Sequence, residues 1–197
     1  MKIQILIFNG FDELDAIAPF EVFQSVAAMG IDVRAELVTL DDPVEIIAAH
    51  GLRIVPNAKL ERDRKLDILV VPGGGWVGRA PQGAKAEVER GTIPDEIAHL
   101  HQNGGAIALV CTGAMLVAAA GLLSGRPAIT HHEAIEDLKA TGAEIIKARV
   151  VDDGDITLFY HSPKPFAISN FCNYCTVSDR ARYFFREIPS CDCMREF

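Results

Sequence analysis

Positive charge is in short supply in this chain. Lys and Arg number 19 against 27 Asp and Glu, a formal net charge of −8, which argues against a nucleic-acid-binding surface and against attraction to an anionic membrane. No secretory leader is expected: Met1-Lys2-Ile3-Gln4-Ile5-Leu6-Ile7-Phe8 enters an alternating apolar segment directly, without a long apolar stretch or a small-residue cleavage site. A cytoplasmic location is the expectation. Cysteine is scarce as well, with Cys111 alone before Cys172, and no glycine follows Gly154. No internal repeat is visible. One uncharged stretch, Gly104 to Ser124, approaches the roughly 20 residues needed to span a bilayer. It is interrupted by Cys111-Thr112-Gly113, with a β-branched and apolar half before and an Ala/Leu-rich half after, so strand, tight turn and buried helix is the better account.

What is present is an ordinary globular composition, 49% hydrophobic and 23% charged over 197 residues, enough for one large domain with a substantial core. Ile3 to Phe8 reads as a strand and Asp15 to Met29 as a helix closed by Gly30. Ile31 to Leu40 reads as a second strand, Leu52 to Pro56 as a short extended piece, and Leu66 to Val71 as a buried strand running into Pro72-Gly73-Gly74-Gly75. Thr92 to Asn103 has helical periodicity, Ala106 to Val110 and Glu144 to Val151 read as strands, and Glu133 to Thr141 as a helix. This alternation implies an α/β fold with a mostly parallel sheet covered by helices on both faces. Residues 159–197 differ in character, aromatic- and cysteine-rich, and are read as a tail appended to a domain of residues 1–158. Within it Ser178 to Ile188 reads as a capped helix.

The chemistry centres on Cys111, which a buried strand delivers into a sharp turn directly before a helix. A thiol there meets the positive end of a helix dipole and free backbone N–H groups, which lower a cysteine pKa from about 8.5 toward about 3.5–7.5. The alternative for this stretch is a small buried hydrophobe without chemistry. The Pro72-Gly73-Gly74-Gly75 turn offers backbone N–H groups unobstructed by side chains, or serves simply as punctuation between elements. In a parallel sheet both turns lie beyond the carboxyl ends of the strands, where ligands bind. Asp15 on its own reads as an acid in the first turn of a helix. In the tail, Cys172 and Cys175 have the spacing of a zinc-ligand pair, but Cys191 and Cys193 do not, and the glycine-bearing knuckles of structural zinc sites are missing. Free thiols in a reducing compartment are expected, and no metal.

Taken together, Asp15-Ala16-Ile17-Ala18-Pro19-Phe20-Glu21-Val22-Phe23, Val70-Val71-Pro72-Gly73-Gly74-Gly75, Val110-Cys111-Thr112-Gly113-Ala114, and Gly121-Leu122-Leu123-Ser124-Gly125-Arg126 leading to Thr130-His131-His132 resemble the ThiJ/PfpI superfamily, within the class I glutamine-amidotransferase-like folds. The resemblance runs from about Met1 to Ile156 and implies a flavodoxin-like fold, a cysteine nucleophile at Cys111 and a carboxyl partner at Asp15. It implies no metal or organic cofactor. Its members commonly dimerise, so a homodimer acting on a small molecule is expected. A carboxyl held against a thiolate has its pKa raised by the like charge, so Asp15 and Cys111 are expected to share one proton. His131, 20 residues after Cys111, matches the spacing of a pocket histidine in several relatives, whereas His132 suits solvent equally well. Gly74, Gly75 and the Thr112 hydroxyl are the expected substrate-orienting groups.

Several activities belong to that superfamily. Its peptidase-like branch has histidine directly after the nucleophile, a place held here by Thr112. Its transcription regulators carry a C-terminal pair of helix-turn-helix motifs, for which the tail is too short. The motifs are most similar to the isonitrile hydratase-like subgroup, in which a thiolate adds to the terminal isonitrile carbon and water releases an N-substituted formamide. The alternatives are cofactor-free glyoxalase or deglycase chemistry, and a non-enzymatic sensor in which Cys111 is oxidised. After Asp155 the chain departs from the pattern: relatives continue with a Gly-rich turn and a long helix near the pocket, and this chain reads Phe159-Tyr160-His161-Ser162-Pro163.

Overall fold

The computed structural model describes residues 1–42, 44–61, 66–78 and 80–160. The tail's four cysteines and its expected helix at Ser178 to Ile188 lie outside these residues. Seven strands form one sheet: β1 (Lys2–Leu6), β2 (Arg34–Thr39), β5 (Ala58–Lys59), β6 (Ile68–Val71), β7 (Ala106–Val110), β10 (Val150–Asp152) and β11 (Ile156–Phe159), in the order β10-β11-β7-β6-β1-β2-β5. Every pairing in it is parallel except β10 with β11. Two small ladders stand apart, β3 (Ile46–Ile47) with β4 (Arg53–Ile54), and β8 (Pro127–Ala128) with β9 (Glu144–Ile145).

The central strands are apolar on both faces, with Ile3, Ile5, Leu69, Val70 and Leu109 wholly buried, as a parallel sheet between two helical layers demands. Helix α1 (Glu13–Ala28) connects β1 to β2 in one direction along the sheet, while α2 (Ala84–Arg90) and α3 (Thr92–Gln102) connect β6 to β7 in the other. Right-handed crossovers running in opposite directions place their helices on opposite faces. Helix α1 packs on β1 and β2; α2 and α3 pack on α4 (Gly113–Ala119), which lies against β6 and β7. Helix α3 shows why such segments are helical: Ile93, Ile97 and Leu100 fall on one face and are buried, with Pro94 in the first turn, where its missing N–H costs nothing. The direction of travel reverses between β1 and β6, so the carboxyl ends of β1, β6 and β7 border the crevice where such sheets hold ligands.

Several boundaries differ from the sequence expectation. Glu133 to Thr141 is a 3-10 turn over His132–Ala134 followed by α5 (Ile135–Ala140). Glu144 to Val151 divides into β9 and β10, because a turn closed by Ala148 N–H on the Ile146 carbonyl breaks the run and sends its halves to different ladders. The second strand begins only at Arg34, after a tight turn at Ile31–Val33. Helix α4 stops at Ala119 rather than Leu123. Helix α2, with few apolar residues, was not foreseen. Among the described residues no helix is long and apolar enough to cross a membrane, and Gly104 to Ser124 is strand, turn and helix as expected.

Candidate active site

Cys111 follows β7 directly and is the one described non-glycine residue with positive φ, at 55°. That conformation costs about 1–3 kcal/mol and persists only where surroundings hold it. Here the Cys111 N–H donates to the Phe159 carbonyl at 2.9 Å, and the Cys111 carbonyl accepts from the buried Thr130 hydroxyl at 3.0 Å. The turn therefore presents the side chain above the sheet edge instead of continuing the strand.

Three glycines make the turn possible by being small. A Cβ on Gly73 would stand 2.5 Å from Thr112 Oγ1, and one on Gly113 would run into the Val71 carbonyl oxygen. Gly74 has φ of 115°, and a Cβ there would strike the Asp12 amide and the Gly10 carbonyl. The loops after β1, β6 and β7 thus meet backbone to backbone. The Gly73 N–H donates to Asp15 Oδ2 at 2.9 Å, and the Gly74 N–H donates to Thr112 Oγ1 at 2.9 Å. The Gly74 amide, expected to face a ligand, is committed to Thr112. Having accepted that bond, the Thr112 hydroxyl keeps its own proton to donate, and it hydrogen-bonds the Cys111 thiol together with the Thr112 N–H.

Asp15 sits in the first turn of α1 with no solvent exposure. Asp12 caps that helix, its Oδ1 accepting the Leu14 N–H at 3.1 Å. Pro19 removes the helix bond that would end on the Asp15 carbonyl. The electrostatics oppose the helix-dipole effect expected from the sequence: the Cys111 thiol is pushed up, first by burial, then by the negative charge of Asp15, against the hydrogen bonds from Thr112. At 7% exposure the thiol is largely out of water, and desolvation opposes its charged form.

The thiol opens on a pocket of about 210 Å³ bordered by Gly74, Gly75, Thr112 and His131, all foreseen, and by Asp12, Trp76, Val77 and Glu133, which were not. Asp12 had a legible signal, an acid immediately before a helix. Trp76 and Glu133 had none, since their place depends on how two loops close over the sheet. His131 caps the 3-10 turn, its Nδ1 accepting the Glu133 N–H at 3.3 Å. His132 is exposed and pairs through Nδ1 with the Tyr160 hydroxyl at 3.0 Å. Among the described residues two groups bring possible metal ligands within 4.8 Å of one another: His131, His132 and Glu133, and Asp12, Glu13 and His50. In the second, Glu13 accepts the His50 N–H at 2.8 Å and pairs with His50 Nδ1 at 2.6 Å.

An α/β sheet with a strained cysteine at a strand-to-helix turn and a buried carboxyl behind it defines a class of protein. The DJ-1/PfpI family model matches residues 1–175, and the chain belongs to that family. It is 33% identical over 156 residues to an isonitrile hydratase of Pseudomonas putida, covering 79% of this chain but only 63% of that protein. It is 30% identical over 159 residues to a deglycase of Thermococcus kodakarensis, covering 79% of this chain and 87% of that one. In fold it matches Schizosaccharomyces pombe DJ-1 with a TM-score of 0.70 at 15% identity, over 96% of this chain and 100% of that one.

Proposed function

We propose that the chain is a cofactor-independent isonitrile hydratase in which Cys111 is the nucleophile and Asp15 the proton carrier. The observation that carries this reading is the pairing of a buried thiol with a fully buried carboxyl beneath a small pocket. Addition to an isonitrile needs one nucleophile and one proton at the same carbon. Asp15 takes the thiol proton as the C–S bond forms and passes it to the isonitrile carbon, giving a thioimidate, R–N=CH–S–Cys111. Water then adds to that carbon, the C–S bond breaks, the thiol regains its proton, and the N-substituted formamide leaves. His131 and Thr112 border the pocket where that water must sit and are assigned to orienting it, with the Gly75 main chain bordering the substrate. Nucleophile and proton both come from the chain, so the reaction calls for no cofactor or metal.

The similarity to the isonitrile hydratase supports this reading, and the similarity to the deglycase supports a second. In that one the same thiol adds to an aldehyde as a hemithioacetal and His131 moves the proton. Incubation with cyclohexyl isocyanide beside methylglyoxal, following formamide and lactate by chromatography, separates them. Formamide that depends on Cys111 supports the hydratase, and lactate alone replaces it with the second reading.

The same proposal includes a cytoplasmic homodimer without nucleic-acid or membrane partners, in keeping with the net charge of −8 and with a thiol that must stay reduced. Ile47, Leu52 and Val55 are exposed on or beside the β3–β4 hairpin. Bonds from Gly10 to Ile47 and from Ala49 to Phe11 tie that hairpin to the start of α1, where Leu14 is also exposed. Apolar side chains gathered in this way suit a self-complementary interface. Sedimentation showing a monomer at micromolar concentration would remove it.

A further inference from the structure

We infer that Trp76, held in place by Asp137, is the wall that selects the apolar N-substituent of the substrate. This rests on the isonitrile reading above and goes beyond it by naming the substrate class: isonitriles with a bulky hydrocarbon group, rather than the smallest ones. Around the pocket the hydrogen-bonding and charged side chains come from Asp12, Thr112, His131 and Glu133, while its large apolar surface comes from Trp76 and Val77. An isonitrile has a reactive carbon at one end and a substituent without hydrogen-bonding groups at the other. With the carbon at Cys111, the substituent needs an apolar face, and the indole offers the largest one there.

The indole is not left to find its own position. Its Nε1–H donates to Asp137 Oδ2 at 2.7 Å, joining the loop after β6 to α5, some 61 residues further on. A charged acceptor makes this a strong bond for its kind. Helix α5 follows directly on the 3-10 turn that starts from His131, so the bond joins the segment carrying the apolar wall to the segment carrying the pocket's histidine. Asp137 is exposed and does not border the pocket. It is therefore a positioning residue, acting through Trp76.

The test compares kcat/KM for cyclohexyl and methyl isocyanide. It also compares alkylation of Cys111 by N-cyclohexylmaleimide and N-methylmaleimide, read by peptide mass spectrometry on the full chain. Wild type is expected to prefer the cyclohexyl reagent by about tenfold or more in both series, the discrimination an apolar pocket commonly gives for added hydrocarbon. Trp76→Ala should bring both ratios close to one, and Trp76→Phe should keep most of the preference. Asp137→Ala should raise KM for cyclohexyl isocyanide several-fold with kcat little changed. It should also shift the emission of Trp76, the chain's one tryptophan. If isonitriles are not turned over while the maleimide ratio responds as described, the reaction is wrong and the wall stands. Ratios unmoved by Trp76→Ala in both series overturn the wall. Should that variant fail to fold, the same ratios in Asp137→Ala decide.

Discussion

The two ends of β7 and β11 hold acids in opposite company. Where the strands finish, Asp15 is fully buried behind the Cys111 thiol, with backbone N–H groups and glycines around it. Where they begin, Asp153 and Asp155 grip the Arg126 guanidinium, and His101 Nε2 lies 2.5 Å from Asp155. That second carboxylate is held well below its ordinary range, first by the Arg126 hydrogen bond, against burial, with His101 assisting. A carboxylate matched by a guanidinium near water is a fastening. A buried one set against a thiol raises the cost of charging both, and that cost can be relieved by moving a proton to a substrate.

The comparison breaks most sharply at the buried end. Cys111→Ala should abolish turnover. Asp15→Asn should lower it by about 10²–10⁴-fold, the usual reach of a positioned acid or base, and yet speed alkylation of Cys111 by iodoacetamide. The sign follows from the thiol's raised value: in wild type alkylation should be slow at pH 7 and still rising beyond pH 9, and removing a neighbouring negative charge brings the thiolate to lower pH. Slower alkylation in Asp15→Asn would show that the two groups are not coupled in this way.

Packing around the turn supplies the next effect. Gly113→Ala puts a methyl group against the Val71 carbonyl, a rigid backbone atom. About 2–4 kcal/mol of stability should be lost, read as a lower midpoint in urea.

At the other end the changes are smaller. Asp155→Asn, at a group half open to solvent, should cost about 1 kcal/mol, with the exposed fraction of the pair screened by salt. Because the folded carboxyl is held below its unfolded value, its contribution is fully present at neutral pH. It fades as pH falls through and below about 4. The difference in stability between wild type and Asp155→Asn should therefore narrow in acid.

Smallest is the clasp between His50 and Glu13. His50 is raised chiefly by its hydrogen bond to Glu13, so the contribution is complete below about pH 6.5 and is lost as pH rises past the folded value. At this exposed site the slope should be visible by NMR titration of His50 and barely in the unfolding midpoint.

Local patterns went far for this protein. The apolar runs at Ile3 to Phe8, Leu66 to Val71 and Ala106 to Val110 can be little else than buried strands, and glycine-marked turns with helical periodicity between them make a parallel sheet the economical solution. Cys111 was legible because a cysteine between a buried strand and a glycine at a helix start is a local arrangement, and Asp15 because the motif around Pro19 carried it. The break between β9 and β10 was hidden because it depends on which ladder each half joins. Trp76, Glu133 and Asp137 were hidden for the same kind of reason: loops far apart in the chain close on one another only once the sheet brings β6 and α5 together. The electrostatic surroundings of the thiol belong to three dimensions too. Dipole arguments along the chain favour a thiolate, whereas desolvation and the charge of Asp15, 96 positions away, act through space against it. Periodicity and turn chemistry act between neighbours in the chain, so the sequence alone determined the sheet and the strand-to-helix turn that holds Cys111; burial and charge act between neighbours in space, so only the tertiary structure decided the pocket and the surroundings of the thiol.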